Sequence, residues 1–440
     1  MRRSRFLQRA GLPAVLLLAV TLTLEATPPV LAMTATTRRV SVSSAGVEGN
    51  GDTYDAAVSA DGRFVAFRSE ASNIVAGDTN AATDVFVRDR KTHTTERVSV
   101  SSAGVEGNAP SYNASISADG RFVAFYSLAS NLVANDTNST YDVFVHDRQT
   151  HTTQRVSVSS AGGQGDGSSA EPSISASGRF VAFSSSSTNL VGNDTNLATD
   201  IFVHDRQTHT TRRVNVSSTG VEANSGSDGP SISADGGFVA FESNASNLVG
   251  SDTNAVRDVF VRDRTNHTTK RVSVSSPGTE ANAASGRGSI SAGGRFVAFE
   301  SQATNLVGND TNGATDVYVR DRKNQTTKRV SVSSTGTAAN DGSHEASITA
   351  DGRFVVFGSD ASNLVGNDTN GATDVFVRDR KSHRTRRVSV TWVGMEANGS
   401  SGNPAVSAGG RFVAFHSAAT NLVGSDTNGM YDIFIRGPLS

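Results

Sequence analysis

The sequence predicts an all-β fold, a seven-bladed β-propeller. Three observations predict it: a fixed repeat, four strand-like runs in each copy, and a spare strand at one end. The repeat comes first. Val40 recurs as Val98, Val156, Val214, Val272, Val330 and Val388, at an interval of 58 residues each time. The glycine of Ser59-Ala60-Asp61-Gly62-Arg63 recurs in the same phase as Gly120, Gly178, Gly236, Gly294, Gly352 and Gly410. A fixed period over seven copies marks a repeat architecture, and it overrides the two or three domains that 440 residues alone suggest.

Each unit reads as short strands joined by turns. Ala57-Val58-Ser59 leads into Asp61-Gly62, a tight-hairpin dipeptide, and Arg63-Phe64-Val65-Ala66-Phe67 follows. A long polar loop precedes Asp84-Val85-Phe86-Val87-Arg88. The turn Lys91 to Thr94 then opens a fourth run, Arg97 to Ser101. After the leader no window carries a helical period. Four antiparallel strands per unit are what a propeller blade requires. Of the 21 Phe residues, all those after the leader stand at the positions of Phe64, Phe67 and Phe86, where one vacancy is filled by Tyr318. Strands apolar on both sides suit blades packed on both faces. The last unit ends at Ile433-Phe434-Ile435-Arg436 without a fourth run, and a spare copy of that run stands at Arg39 to Ser43. Pairing the two closes the ring and removes an exposed edge, so the fold reads as a monomer.

The start of the chain reads as an export signal. Arg2, Arg3, Arg5 and Arg9 precede an apolar run from Leu12 to Leu24, and Val30-Leu31-Ala32 offers a cleavage site. Residues 1–32 are therefore expected to be a signal peptide and residues 33–440 a single propeller domain, extracellular or periplasmic. The apolar run is short for a membrane span. Cysteine is absent, which excludes disulfides and thiol chemistry. A net charge of −2 supplies no basic excess for nucleic acid.

The stretch Ser59-Ala60-Asp61-Gly62-Arg63-Phe64-Val65-Ala66-Phe67 resembles the repeat of TolB-like, WD-like bacterial propellers. Asp78-Thr79-Asn80 followed by Asp84-Val85-Phe86-Val87-Arg88-Asp89-Arg90 resembles secreted TolB-like repeat proteins. The similarity runs from residue 39 to 440. It implies bacterial export and a tendency to bind protein. TolB itself is known with six blades and a further N-terminal domain. The seven units here give no ground for transferring its role in the Tol–Pal system.

Topology sends the long loops, such as Ser44 to Ala56 and Glu70 to Thr83, to one face, and binding is usually built on such loops. Positions that change character between copies escape the packing shared by all blades. One such position holds Arg68, Tyr126, Ser184, Glu242, Glu300, Gly358 and His416. Another group, expected just before the innermost strand, holds Tyr54, Asp55, Tyr112, Asn113, Glu171, Asp228, Arg287, His344, Glu345 and Asn403. Two readings stay open: drift on solvated loops, or a ligand site for a protein or glycan at the channel mouth. Catalytic signatures are scarce. Glu171, Asp228, His344 and Glu345 form the one loose acid–base set for a propeller hydrolase or lyase.

Every copy also carries an acidic loop: Asp78/Asn80/Asp84, Asp136/Asn138/Asp142, Asp194/Asn196/Asp200, Asp252/Asn254/Asp258, Asp310/Asn312/Asp316, Asp368/Asn370/Asp374 and Asp426/Asn428/Asp432. Oxygens at positions one and three suit calcium, but glycine is missing at six and glutamate at twelve. The competing reading is a set of Asx turns closed on backbone N–H groups. No other cofactor is indicated. His93, His151, His209, His267 and His383 sit on separate outer turns and read as turn residues rather than zinc ligands.

Overall fold

The computed structural model describes Met1, residues 35–308 and residues 310–439. Apart from Met1, the expected signal segment lies outside the described residues. The remainder forms seven four-stranded antiparallel sheets, each a blade. Strand β1 covers Thr36–Arg39. Blade one follows with β2 at Thr53–Val58, β3 at Phe64–Ser69, β4 at Asp84–Asp89 and β5 at Thr94–Arg97. Five further blades repeat this order, β2-like strand innermost and β5-like strand outermost. Blade seven aligns Ser401–Val406, Val413–Ser417, Asp432–Gly437 and β1. Arg39 stands opposite Phe434 in that ladder, and the Val40 N–H donates to Ile433 O at 2.8 Å. The ring is closed by the N-terminal strand, as expected.

Two boundaries differ from expectation. The outer strand is Thr94–Arg97 rather than Arg97 to Ser101, and the closing strand is Thr36–Arg39 rather than Arg39 to Ser43. The Val-Ser alternation serves another purpose. Val98 is a buried plug, while Ser99 turns back into blade one, donating to Asp84 Oδ1 at 2.5 Å and accepting from the Val85 N–H at 3.1 Å. The inner strand also starts at Thr53, ahead of the expected Ala57. Tyr54 and Asp55 are therefore strand residues, not loop residues.

Phenylalanines bind the blades. Phe67 and Phe86 are fully buried, with ring centroids 5.9 Å apart, and every blade repeats the pair, blade five with Tyr318 in the second place. Each such ring contributes roughly 1.5–3 kcal/mol by its burial. Phe64 reaches the next blade and lies over the turn glycine Gly120. A Cβ built there would stand 2.1 Å from the Phe64 ring, and φ is +75° besides, so only glycine fits. His93 and its counterparts occupy left-handed turn positions, His93 at φ 60°. Histidine tolerates that conformation better than most residues.

Candidate functional site

The channel mouth on the long-loop face is built from one backbone device repeated seven times. Near the start of each inner strand the register slips: Tyr54 faces Arg68 and Ala57 faces Ala66, so two residues oppose Phe67 alone. This β-bulge puts one residue per blade into left-handed backbone: Asp55, Asn113, Glu171, Gly229, Arg287, Glu345 and Asn403, with φ from 46° to 59°. All but Gly229 carry a side chain there, at a cost of order 1–3 kcal/mol each, and such strain clusters at functional sites. These residues line a cavity of about 710 Å³ at the channel mouth, together with small polar groups such as Ser115 and Ser173.

The bulge frees a backbone N–H from the ladder, and the blades treat it in two ways. Gly229 N donates to Glu171 Oε2 at 2.9 Å, and Arg287 N to Glu242 Oε2 at 2.7 Å. Glu345 N donates to Glu300 Oε2 at 3.2 Å, and Asn403 N to Glu345 Oε2 at 2.6 Å. Each acceptor belongs to the preceding blade. Among the described residues, no side chain accepts from the N–H of Asp55, Asn113 or Glu171.

The variable side chains beside these bulges separate into two arcs. On blades seven, one and two they touch in an unbroken series. Tyr431 and His416 lie 5.4 Å apart, and each lies within 5.5 Å of Tyr54. The Arg68 guanidinium stands over Tyr54 at 4.7 Å and over Tyr112 at 5.4 Å. Tyr112 meets Tyr126 at 5.4 Å, and Tyr126 meets Tyr141 at 5.3 Å. All seven are half-buried, each keeping some surface open. Arg68 is held by Asp55, whose other oxygen accepts from Asn403 Nδ2 at 2.9 Å. Burial and the neighbouring Asp52 push Tyr54 up to about 12. Burial and Asp55 do the same for Tyr126, so both keep their O–H.

Blades four to six carry the ionic arc. Arg257 pairs with Glu242 at 2.9 Å, and Arg287 reaches Glu300 at 3.2 Å and Glu345 at 3.3 Å. His344 lies beside Glu300, whose pKa is raised chiefly by burial. Between the arcs stand Glu171, exposed on blade three, and Asp228 on blade four. Neither has an ion-pair partner within 4 Å among the described residues, and the Asp228 carboxylate accepts no hydrogen bond there. Burial, then Glu171 and Glu242, raise the pKa of Asp228.

The predicted mouth residues thus sort into two arcs, with Glu171 and Asp228 between them at one end and Asn403, bonded to both Glu345 and Asp55, joining them at the other. The nominated acid–base set is divided, with Glu171 and Asp228 on blades three and four and His344 and Glu345 on blade six. Sequence reasoning missed Tyr141, Arg257 and Tyr431 as site residues. They share the position before each third strand, where the other copies have threonine: Thr83, Thr199, Thr315 and Thr373. The comparison between copies that exposed Arg68 and Tyr126 exposes them as well.

The acidic loops come together around an arginine from each outer strand. Arg97 reaches Asp84 at 2.9 Å, Glu106 at 3.0 Å and Asp78 at 3.6 Å. In four copies the acid oxygens lie within 4.8 Å of one another: Glu48/Asp426/Asp432, Asp194/Asp200/Glu222, Asp252/Asp258/Glu280 and Asp368/Asp374/Glu396. These are the groups that offer metal ligands. Asp78/Asp84, Asp136/Asp142 and Asp310/Asp316 form no such group among the described residues. The four groups supply three carboxylates where calcium takes about six to eight oxygens, and a guanidinium already stands among them in each. Burial still pushes Asp374 and Asp432 up to about 6.

The asparagines of these loops depart from the calcium expectation. Asn80, Asn138, Asn196, Asn254, Asn312, Asn370 and Asn428 each close an Asx turn, the Oδ1 accepting from the N–H two residues on at 2.8–3.2 Å. In the same seven side chains Nδ2 donates, at 2.8–3.0 Å, to a backbone carbonyl of the loop entering the next blade. Both ends of each amide are thus engaged in holding loops together. The carboxylate that joins the two aspartates comes instead from a position the sequence reading passed over, that of Glu48, Glu222, Glu280 and Glu396.

Among the described residues, no helix is long and apolar enough to cross a membrane. No family model and no curated protein matches the sequence. Solved structures match it in fold. The oligogalacturonate lyase of Vibrio parahaemolyticus aligns with a TM-score of 0.51 at 13% identity, over 88% of this chain and 90% of its own. The β-propeller domain of the trilobed protease from Pyrococcus furiosus gives 0.52 at 10% identity, over 88% and 95%. TolB from Acinetobacter baumannii gives 0.40 at 14% identity over 76% of this chain, which spans 62% of the TolB length. At these identities the likeness is one of fold: the chain is a seven-bladed β-propeller, with TolB proteins among its structural neighbours.

Proposed function

We propose that the protein is an exported, non-catalytic binding module that captures a protein or glycan at the channel mouth of its long-loop face. One observation carries this reading. Of the six tyrosines, five stand in a single continuous arc with Arg68 and His416, while the sixth, Tyr318, fills a core phenylalanine position. Tyrosine and arginine are the residues that most often anchor interfaces. The N–H groups of Asp55, Asn113 and Glu171, from which no side chain accepts among the described residues, add donors beside that arc. The leader sequence supports export.

The enzyme reading keeps a specific observation of its own. The buried Nδ1 atoms of His344 and His416 have no hydrogen-bond partner, and Glu300 and Glu345 stand nearby. A hydrolase or lyase would draw its acid and base from that side.

The two readings separate with two variants. One replaces Tyr54, Arg68, Tyr112 and Tyr126 with Ala, and the other replaces His344 and Glu345 with Ala. The first variant is expected to lose capture of a partner from extracellular extract while keeping its fold, with the second still capturing it. Turnover of a polysaccharide or peptide library that disappears only in the second variant would overturn the binding reading.

A further inference from the structure

The aromatic arc and the two carboxylates next to it identify a ligand class, an inference that rests on the binding reading above. The arc keeps part of each tyrosine's surface open, and the cavity beside it is lined by small polar groups, Asn113, Ser115, Ser173 and Asn403 among them, with only alanine, proline and glycine for apolar lining and so no large apolar pocket. A peptide anchored by apolar side chains needs such a pocket. A pyranose does not. Its C–H face lies on an aromatic ring while its hydroxyls exchange hydrogen bonds with amides, hydroxyls and carboxylates, and the N–H groups of Asp55 and Asn113 add donors at that edge.

Charge narrows the class further. Arg68 is already committed to Asp55, and Arg287 to Glu300 and Glu345. Glu171 and Asp228 have no such ion-pair partner, and they lie next to the arc: the inner strand of blade three that carries Glu171 packs on the strand of blade two that carries Tyr126, and Glu171 Oε2 accepts the Gly229 N–H beside Asp228. An anionic sugar would meet unpaired carboxylates there. An ammonium group would meet a charge of opposite sign there instead. We propose that the channel mouth takes an oligosaccharide carrying free amino groups, its rings on the tyrosines of blades one and two and its ammonium groups on Glu171 and Asp228.

The test is titration calorimetry with a glucosamine hexamer, cellohexaose, hexalysine and an oligogalacturonate as probes. The glucosamine hexamer is expected to bind about ten-fold or more tightly than cellohexaose, a difference of roughly 1.4 kcal/mol. Glu171→Gln with Asp228→Asn should erase that preference and leave cellohexaose unchanged. Tyr112→Ala with Tyr126→Ala should weaken both sugars, and melting curves confirm that each variant is folded. Hexalysine binding as tightly as the glucosamine hexamer, or oligogalacturonate displacing it, overturns the assignment. So does cellohexaose binding equally well with the carboxylate variant unaltered, an outcome that removes the amine while leaving the capture reading in place. The capture reading falls separately, if the four-alanine variant still retains its extracellular partner.

Discussion

On blades four to six the bulge N–H groups of Gly229, Arg287 and Glu345 each meet a carboxylate of the preceding blade, whereas those of Asp55, Asn113 and Glu171 on blades one to three do not. On blade seven the Asn403 N–H also meets a carboxylate, that of Glu345, so the side chains follow this division on blades one and two but not on blade seven. Arg257, Glu242, Arg287, Glu300 and Glu345 satisfy one another, while Tyr54, Arg68, Tyr112, Tyr126 and Tyr141 stack in series and leave surface open. The backbone is the same in both places. A self-satisfied network rigidifies a scaffold, and tyrosine and arginine that keep some surface open are the residue types interfaces use most often. One half of the mouth ties blade to blade, and the other half is where the proposed ligand would sit.

The largest effect should come from breaking only one of the two arcs. Removing residues 33–40 takes β1 from blade seven, which carries His416 and Tyr431, and leaves the ion pairs of blades four to six in place. Calorimetry is expected to show loss of cooperative melting or outright aggregation. A truncated chain that melts like the intact one refutes closure by β1.

A control beneath blade three comes next. Arg213→Met leaves Asp200, fully buried, without its cation, at a cost of about 3–5 kcal/mol. The freed carboxylates of Asp194, Asp200 and Glu222 should then make melting respond to millimolar calcium. In the unaltered protein calcium and chelator are expected to give superimposable curves, and a shift there would return the acidic loops to the metal reading.

Within the ionic arc, Glu242→Ala strips a buried acceptor from the Arg287 N–H and from Arg257. It should destabilise by about 1–3 kcal/mol as read from urea unfolding. Ligand affinity should not change. Equal loss of affinity from Glu242→Ala and Tyr126→Ala would merge the two arcs into one site.

The smallest effect has the opposite sign. The folded pKa of Asp228 lies above its ordinary value, so its contribution to stability is full at low pH and is lost as pH rises through that folded value. At neutral pH the charge is a burden. Asp228→Asn should raise the melting temperature slightly at pH 7 and have no effect near pH 3, while weakening an amine ligand. A variant less stable than the parent at pH 7 would mean that Asp228 has a cationic partner in the fold.

Much of this was legible in the sequence, and the limits have physical causes. The 58-residue phase and the missing last strand carried the blade number and the closure. The Val98-Ser99-Val100 alternation misled, because a buried plug and a turned-back hydroxyl produce the same period as a strand. Comparison between copies found Tyr54, Arg68 and His416, since positions excused from common packing are free to vary. It could not divide them into two arcs. That division depends on which blade's carboxylate reaches which bulge, across chain separations of 45 and 58 residues. The arginine at the centre of each acidic loop was equally hidden, because Arg97 stands 13 residues beyond Asp84 on another strand.

The offset between sequence unit and blade has a consequence for how the gene can be rearranged. Because β1 supplies the outer edge of blade seven and runs on into blade one, every junction between blades is bridged by continuous chain, and the one covalent gap lies inside blade seven, where β1 pairs with the Asp432–Gly437 strand. A circular permutant that joined residue 439 to residue 36 and opened between the third and fourth strands of another blade would restore that missing covalent link and move the pairing elsewhere. Topologically, the ring has no first blade. The aromatic arc on blades seven, one and two is set by side chains alone, and could be transplanted to any three neighbouring blades without redrawing the fold.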